Sequence, residues 1–257
     1  MAKMKPMDVA VTLPPLGPAD LLLVKTIGFS LLVFTIYWFF IHSNWLKSQF
    51  YKGVEFDQAS VRHLFFTKVL GFVMFGFLPS GLLMMGEGSH GWEVFGLNEG
   101  SRPVGFTWAW TLMLGFLVVP MAFFSARKPA NLLHYPQIRA KKWTVTTMLL
   151  NVLGWSLYLL GYEIMFRSTL FLMILPVWGL YPALIVNVAL YSATHLPKGL
   201  SETLGAIPLG VVLCLLTAAS GTIWIAFWVH LLLALTNSFT AFYYQTDMVF
   251  TGFKPKR

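Results

Sequence analysis

Few side chains in the last hundred residues of this 257-residue chain can do chemistry, and those few are regularly spaced. Glu163 and Arg167 stand four apart in Gly161-Tyr-Glu-Ile-Met-Phe-Arg167, on one helix face, where they can pair. His195 closes the series Asn187-x-x-x-Tyr191-x-x-x-His195, which again marks one face. His230 lies inside an apolar run, Trp228-Val-His-Leu-Leu232, and Asn237 follows two turns on along the same face. One carboxylate and two imidazoles on three separate segments are what a water-activating site needs. The glutamate can take a proton, and the imidazoles can hold the water, donate to an oxyanion or bind a metal. Plainer readings stand beside these. Glu163 with Arg167 also reads as a structural ion pair, and His195, just before Leu196-Pro197-Lys198, as an interfacial histidine. His230 is apolar on both sequence sides and needs a polar partner inside the protein. His42, His63, His90 and His134 lie in or beside loops and receive no role.

The segments that carry these groups belong to a membrane protein. Apolar residues make up 57% of the chain and charged residues 11%, with a mean hydropathy of +0.69. Soluble domains run at about 45–50% apolar, glycine included, and about 25% charged. So few charges cannot cover a water-exposed body of this size, which excludes a soluble enzyme, a disordered tail and a nucleic-acid module. The net charge of +8 sits between apolar runs, where it sets orientation and meets anionic headgroups. Cys214 is the single cysteine, so neither an intrachain disulfide nor a four-thiol metal site is available. No apolar core follows Met1 until about Leu21, and the first apolar run reads as a retained span and not a removable signal.

A helical crossing takes roughly 20 apolar residues. Runs of that kind occupy Leu21 to Ile41, Val69 to Met85, Val104 to Phe124, Val145 to about Tyr162, Leu204 to Ala219 and Thr222 to Tyr243. Ser168 to Leu175 is too short to cross, and Ala183 to Thr194 resumes a helix after two prolines. The predicted fold is therefore all-α: one integral membrane domain over residues 1–257, a polytopic transmembrane helical bundle of seven to eight segments, some broken or short. Lys47, Lys52, Arg62 and Lys68 mark the first loop, and Arg127, Lys128, Arg139, Lys141 and Lys142 the third. That excess puts both loops on the cytoplasmic side. The second loop, with Glu87, Glu93, Glu99 and only Arg102, faces away. Lys254, Lys256 and Arg257 put the tail with the basic loops, and Lys3 and Lys5 vote the other way.

In order and spacing, Glu-x-x-x-Arg, then an aromatic-x-x-x-His, then a histidine in the last helix after Gly-Thr-Ile-Trp resembles the CAAX prenyl protease and bacteriocin-processing (CPBP, Abi) intramembrane protease family. Its members carry Glu-Glu-x-x-x-Arg, Phe-x-x-x-His and His-x-x-x-Asn/Asp. Glu163 and Arg167, Tyr191 and His195, and His230 match, within a core region at residues 145–245. The chain departs at Tyr162, where the family has its first glutamate and leading candidate for the general base. It also departs at Ala234, in place of Asn or Asp, and at Ser168, where glycine is common. The resemblance implies a helical bundle with a polar cavity and an intramembrane endopeptidase. Glu163 and His195 would activate water, His230 helped by Asn237 would steady the oxyanion, and Arg167 would pair with Glu163. It implies no cofactor or, alternatively, one divalent metal such as zinc on Glu163, His195 and His230. The implied partners are membrane lipids and a peptide or protein substrate in a bacterial inner membrane, with no nucleic acid. The losses at Tyr162 and Ala234 leave a second reading open: a catalytically inactive member that binds a lipid, a pigment or a partner membrane protein's transmembrane helix.

Overall fold

The computed structural model describes residues 15–84 and 95–252. Lys3, Lys5, Glu87, His90, Glu93, Lys254, Lys256 and Arg257 lie outside the described residues. In hydrocarbon a backbone can satisfy its N–H and C=O groups only internally, so apolar runs become helices. The chain forms α1 (Pro18–Ile41), α2 (Asn44–Tyr51), α3 (Phe56–Phe72), a π-helical stretch at Val73–Phe77 and α4 (Leu78–Met84). After the second loop come α5 (Val104–Ala126), α6 (Pro129–Leu132), β1 (Lys142–Thr144) and α7 (Val145–Glu163). A second π-helical stretch, Ile164–Leu172, then leads to α8 (Leu175–Trp178), α9 (Leu180–Ala193), α10 (Leu200–Ser220), α11 (Trp224–Tyr244) and β2 (Val249–Gly252).

Side-chain caps explain several starts. Ser43 Oγ accepts the Leu46 N–H at 3.2 Å, Glu55 accepts that of Gln58 at 3.1 Å, and Thr144 that of Thr147 at 3.2 Å. α10 stops at Gly221, whose φ of +69° is the left-handed conformation that ends helices.

Among the described residues, six helices are long and apolar enough to cross a membrane, and α9 adds a shorter apolar one. The all-α polytopic bundle is thus present, with two corrections to its segments. The second crossing begins at Phe56 and not at Val69, because the capped helix runs straight through the charged residues. Lys68 therefore belongs to the bundle and not to the first loop. Ser168 to Leu175 is no separate piece: α7 continues through its π stretch as one apolar helix, Val145–Trp178. Large apolar side chains face outward, Phe116 at 86% exposure and Leu112 at 69%, as suits a surface bathed in lipid.

Polar ties gather the loops at two ends. Asp57 accepts the backbone N–H groups of Lys141 and Lys142 at 2.8 and 2.9 Å, which joins α3 to the third loop. β2 pairs parallel with β1, Lys142 opposite Val249, and so brings the C-terminal stretch to the same end. At the opposite end the Ser101 N–H reaches Ser220 O at 2.7 Å and the Ile223 N–H reaches Gly96 O at 3.0 Å. The first and third loops share one end, as their charge requires.

α3 packs on α7, α5 on α11, α9 on α10 and α7 on α11. The α3–α7 contact needs small residues: a Cβ on Gly161 would stand 2.7 Å from Phe72 Cα and 2.8 Å from Phe72 O. Backbone cannot yield as a side chain can. Gly161→Ala is expected to cost about 1–3 kcal/mol in detergent unfolding titrations, whereas Gly205→Ala, with open space around it, should change little.

Candidate active site

Glu163 ends α7 and Arg167 lies in the π stretch that follows, both 0% exposed. Such i→i+5 stretches are rare and recur at functional sites. Arg167 Nε stands 3.0 Å from Glu163 Oε2, an ion pair whose N–H is not aimed squarely enough to count as a hydrogen bond. The guanidinium lies over the Tyr191 ring, Cζ 4.6 Å from its centroid. Nη1 donates to Asn187 Oδ1 at 2.6 Å, an oxygen that also accepts from Cys214 Sγ at 3.1 Å. Asn187 Nδ2 in turn donates to Phe166 O. Asn187 thus clamps the arginine turn to α9 and α10. Ser168, the departure from glycine, donates to Phe95 O and ties the π stretch to the second loop.

The other oxygen of Glu163 belongs to His230. Nδ1 and Oε1 are 2.7 Å apart, and since a carboxylate accepts, Nδ1 carries the hydrogen. His195 is fixed by backbone instead: Nδ1 lies 3.0 Å from Tyr191 O, which can only accept, so Nδ1 again carries the hydrogen. Thr194 Oγ1 stands 3.2 Å from the same nitrogen, donates to Tyr191 O and receives the Tyr162 hydroxyl at 2.7 Å. Both imidazoles therefore direct Nε2 away from their anchors. Neither Nε2 has a hydrogen-bond partner among the described residues. The Tyr191 ring neighbours both, 5.0 Å from His195 and 6.1 Å from His230 by centroid.

Two chambers meet at these rings. The larger, about 520 Å³, opens at the basic end past His42 and His134, and Lys68, Tyr162 and Lys198 line it. The smaller, about 410 Å³, runs between α5, α10 and α11, and among its walls Leu117 (58% exposed) and Met121 (64%) also face lipid. His195 and His230 line both chambers. Glu163 lines neither, being buried behind His230. Asn237 lines the smaller chamber, with Oδ1 3.5 Å from Asn131 Nδ2. Seven residues of α11 put it about 10 Å along the axis from His230.

The sequence-derived groups thus fall into a buried set, Glu163 and Arg167, and a chamber-wall set, His195, His230 and Asn237. Sequence reasoning passed over Lys68, Thr194 and three histidines: His42, His63 and His134 all line the larger chamber, and His63 lies inside α3 and not beside a loop, because the helix capped at Glu55 runs through it. Lys68 carried a usable signal, a cation set among apolar residues in the second half of the helix begun by the Glu55 cap.

Burial, followed by the Lys198 ammonium, pushes His195 down to about 3. Its ring is neutral in the folded protein through the physiological range. The unfolded chain, with a histidine near 6.5, binds more protons between these values. Stability from this group is full above about pH 6.5 and falls as the pH drops toward 3, by up to about 1.4 kcal/mol per unit. His195→Gln should flatten that acid-side slope in thermal unfolding measured across pH 7.5 to 4.5.

A metal does not fit the expected trio. Both Glu163 oxygens are committed to N–H-bearing cations or rings, which leaves two imidazole nitrogens. Among the described residues no group of three His, Cys, Asp or Glu is arranged to hold one ion.

A buried Glu–Arg pair behind an imidazole, beside a cavity that reaches both the basic end and the apolar flank, belongs to a polytopic helical protein of the membrane. Residues 141–236 match the family model described as Rce1-like, type II CAAX prenyl endopeptidase. The matched stretch runs from β1 into α11 and holds Glu163, Arg167, Tyr191, His195 and His230, while Asn237 lies just past its end. The family read from the motifs is borne out over that stretch. No curated protein and no solved structure matched the chain.

Proposed function

We propose that the protein is an intramembrane endopeptidase that hydrolyses a peptide bond held where the two chambers meet. The observation that carries this reading is the pair of unpartnered Nε2 atoms on His195 and His230, each with Nδ1 locked by a specific acceptor. Water held at His195 gives its proton to Nε2 as it attacks the carbonyl carbon. His230, oriented by Glu163 at Nδ1, faces the developing oxyanion through Nε2, as a carboxylate-held histidine does in a triad. The proton on His195 then passes to the departing amine. Glu163 is a positioning residue here, and Arg167 holds it in place. Asn237 bonds the peptide backbone further along the smaller chamber. A base held near 3 is free to accept that proton but accepts it weakly at neutral pH.

The test is cleavage of membrane-anchored peptide libraries by purified protein. His195→Gln and His230→Gln are each expected to lower kcat about 100-fold. Wild-type rates in both would overturn the reading. A second reading, a binding subunit without catalysis in the bacterial inner membrane, is favoured by Tyr162 and Ala234. It would be chosen if the wild type cleaves nothing yet copurifies in fixed ratio with one membrane protein.

A further inference from the structure

Lys68 is 5% exposed and stands on the wall of the larger chamber, twelve residues into α3. Its Nζ lies 2.9 Å from the Trp155 ring centroid and 4.5 Å from that of Tyr158. Among the described residues it has no hydrogen bond and no carboxylate partner. Aromatic faces replace only part of the hydration an ammonium loses on burial. The other cations of this chamber are already matched. Lys198 pairs with Glu202 at 3.5 Å and donates to the Tyr135 hydroxyl at 3.0 Å, and Arg139 donates to the carbonyls of Leu132 and Leu133. No Asp or Glu lines the chamber among the described residues. The Lys68 amine is left without an anionic complement among the described residues, inside a space that leads to His195 and His230.

We propose that Lys68 is the anchor of a carboxylate-binding subsite, which holds one carboxylate of a peptide lying in the larger chamber. A single unmatched ammonium suits a monoanion; a phosphate dianion would leave net negative charge buried in its place. The rings of Tyr37, Trp155 and Tyr158 give the neighbouring peptide side chain an apolar wall. The carboxylate is either the chain terminus or an Asp or Glu side chain, and in both cases Lys68 sets which stretch of peptide reaches the imidazoles. The proposal rests on the peptide-hydrolase reading of the same cavity, since it deepens that reading by naming a recognised group.

Binding to the full-length protein in detergent tests it, with three N-acetylated apolar tetrapeptides as probes. One carries a free terminal carboxylate, one is amidated, and one is amidated with a single Glu. The wild type is expected to bind at least one carboxylate-bearing probe about tenfold more tightly than the neutral one, and which probe wins identifies the source. Lys68→Arg should retain the preference and Lys68→Met should abolish it. Equal binding of all three probes by the wild type overturns the proposal, whatever the variants do, and so does a preference that survives Lys68→Met. Tighter binding of short-chain phosphatidate than of either carboxylate probe also overturns it, in favour of a lipid headgroup. His195→Gln should keep the binding preference while losing cleavage. Preference without any wild-type cleavage would leave the subsite standing and sink the hydrolase.

Discussion

Glu163→Gln is expected to destabilise the protein by about 3–5 kcal/mol, and adding Arg167→Met in the same chain should recover most of that loss. The reason lies in the burial of both groups, each at 0% exposure, with Glu163 the one carboxylate beside the guanidinium among the described residues. Glutamine can still accept from His230 but cannot answer the guanidinium, which is left ionised inside the bundle. Removing the guanidinium as well takes away the uncompensated charge. Asn187 Oδ1 then loses the Arg167 N–H but keeps the Cys214 thiol as a donor, so the clamp between α9 and α10 survives in part. Unfolding in mixed micelles with increasing denaturing detergent measures the three stabilities. Activity separates structure from chemistry: the double variant is expected to be folded yet as slow as the single, because His230 has lost its carboxylate. A double variant that cleaves at the wild-type rate would remove Glu163 from the mechanism.

The second large effect is a gain. Tyr162→Glu should raise kcat by about 10²–10⁴, the contribution of a well-placed general base. Tyr162 lines the larger chamber, and its hydroxyl is held 2.7 Å from Thr194 Oγ1, next to the anchored nitrogen of His195. A glutamate is shorter than the phenol and leaves room for water at that wall. Its carboxylate would accept the proton that His195 takes poorly. The gain should vanish as the pH falls through the new carboxylate's pKa, giving an acid limb absent from the wild type, and Tyr162→Gln should show neither. No change in rate would place the attacking water elsewhere.

Hydropathy made the bundle legible, because roughly 20 apolar residues in a row have few other uses. It failed at the two places where length and polarity disagree. The charges at Asp57, Arg62 and Lys68 diluted the start of the second crossing, although the Glu55 cap marks it. The prolines after Leu175 suggested a break that the π stretch and α8 carry through as far as Gly179. The candidate site was legible as spacing: Glu163 to Arg167 and Tyr191 to His195 are one-face pairs, and each pair does meet. Spacing could not say which side of a helix looks into a chamber. Glu163 and Tyr162 are neighbours in sequence, and only the tertiary packing turns the tyrosine toward the chamber and the acid toward Arg167.

The cavity has two doors, one on water and one on hydrocarbon, and a pair of imidazoles where the passages join. Under the proposed hydrolysis, that arrangement would sort the pieces of a severed chain: a hydrophilic stub would leave at the basic end and a greasy remnant sideways past Leu117 and Met121. Neither fragment obstructs the other's egress, so rejoining them would require both to return at once.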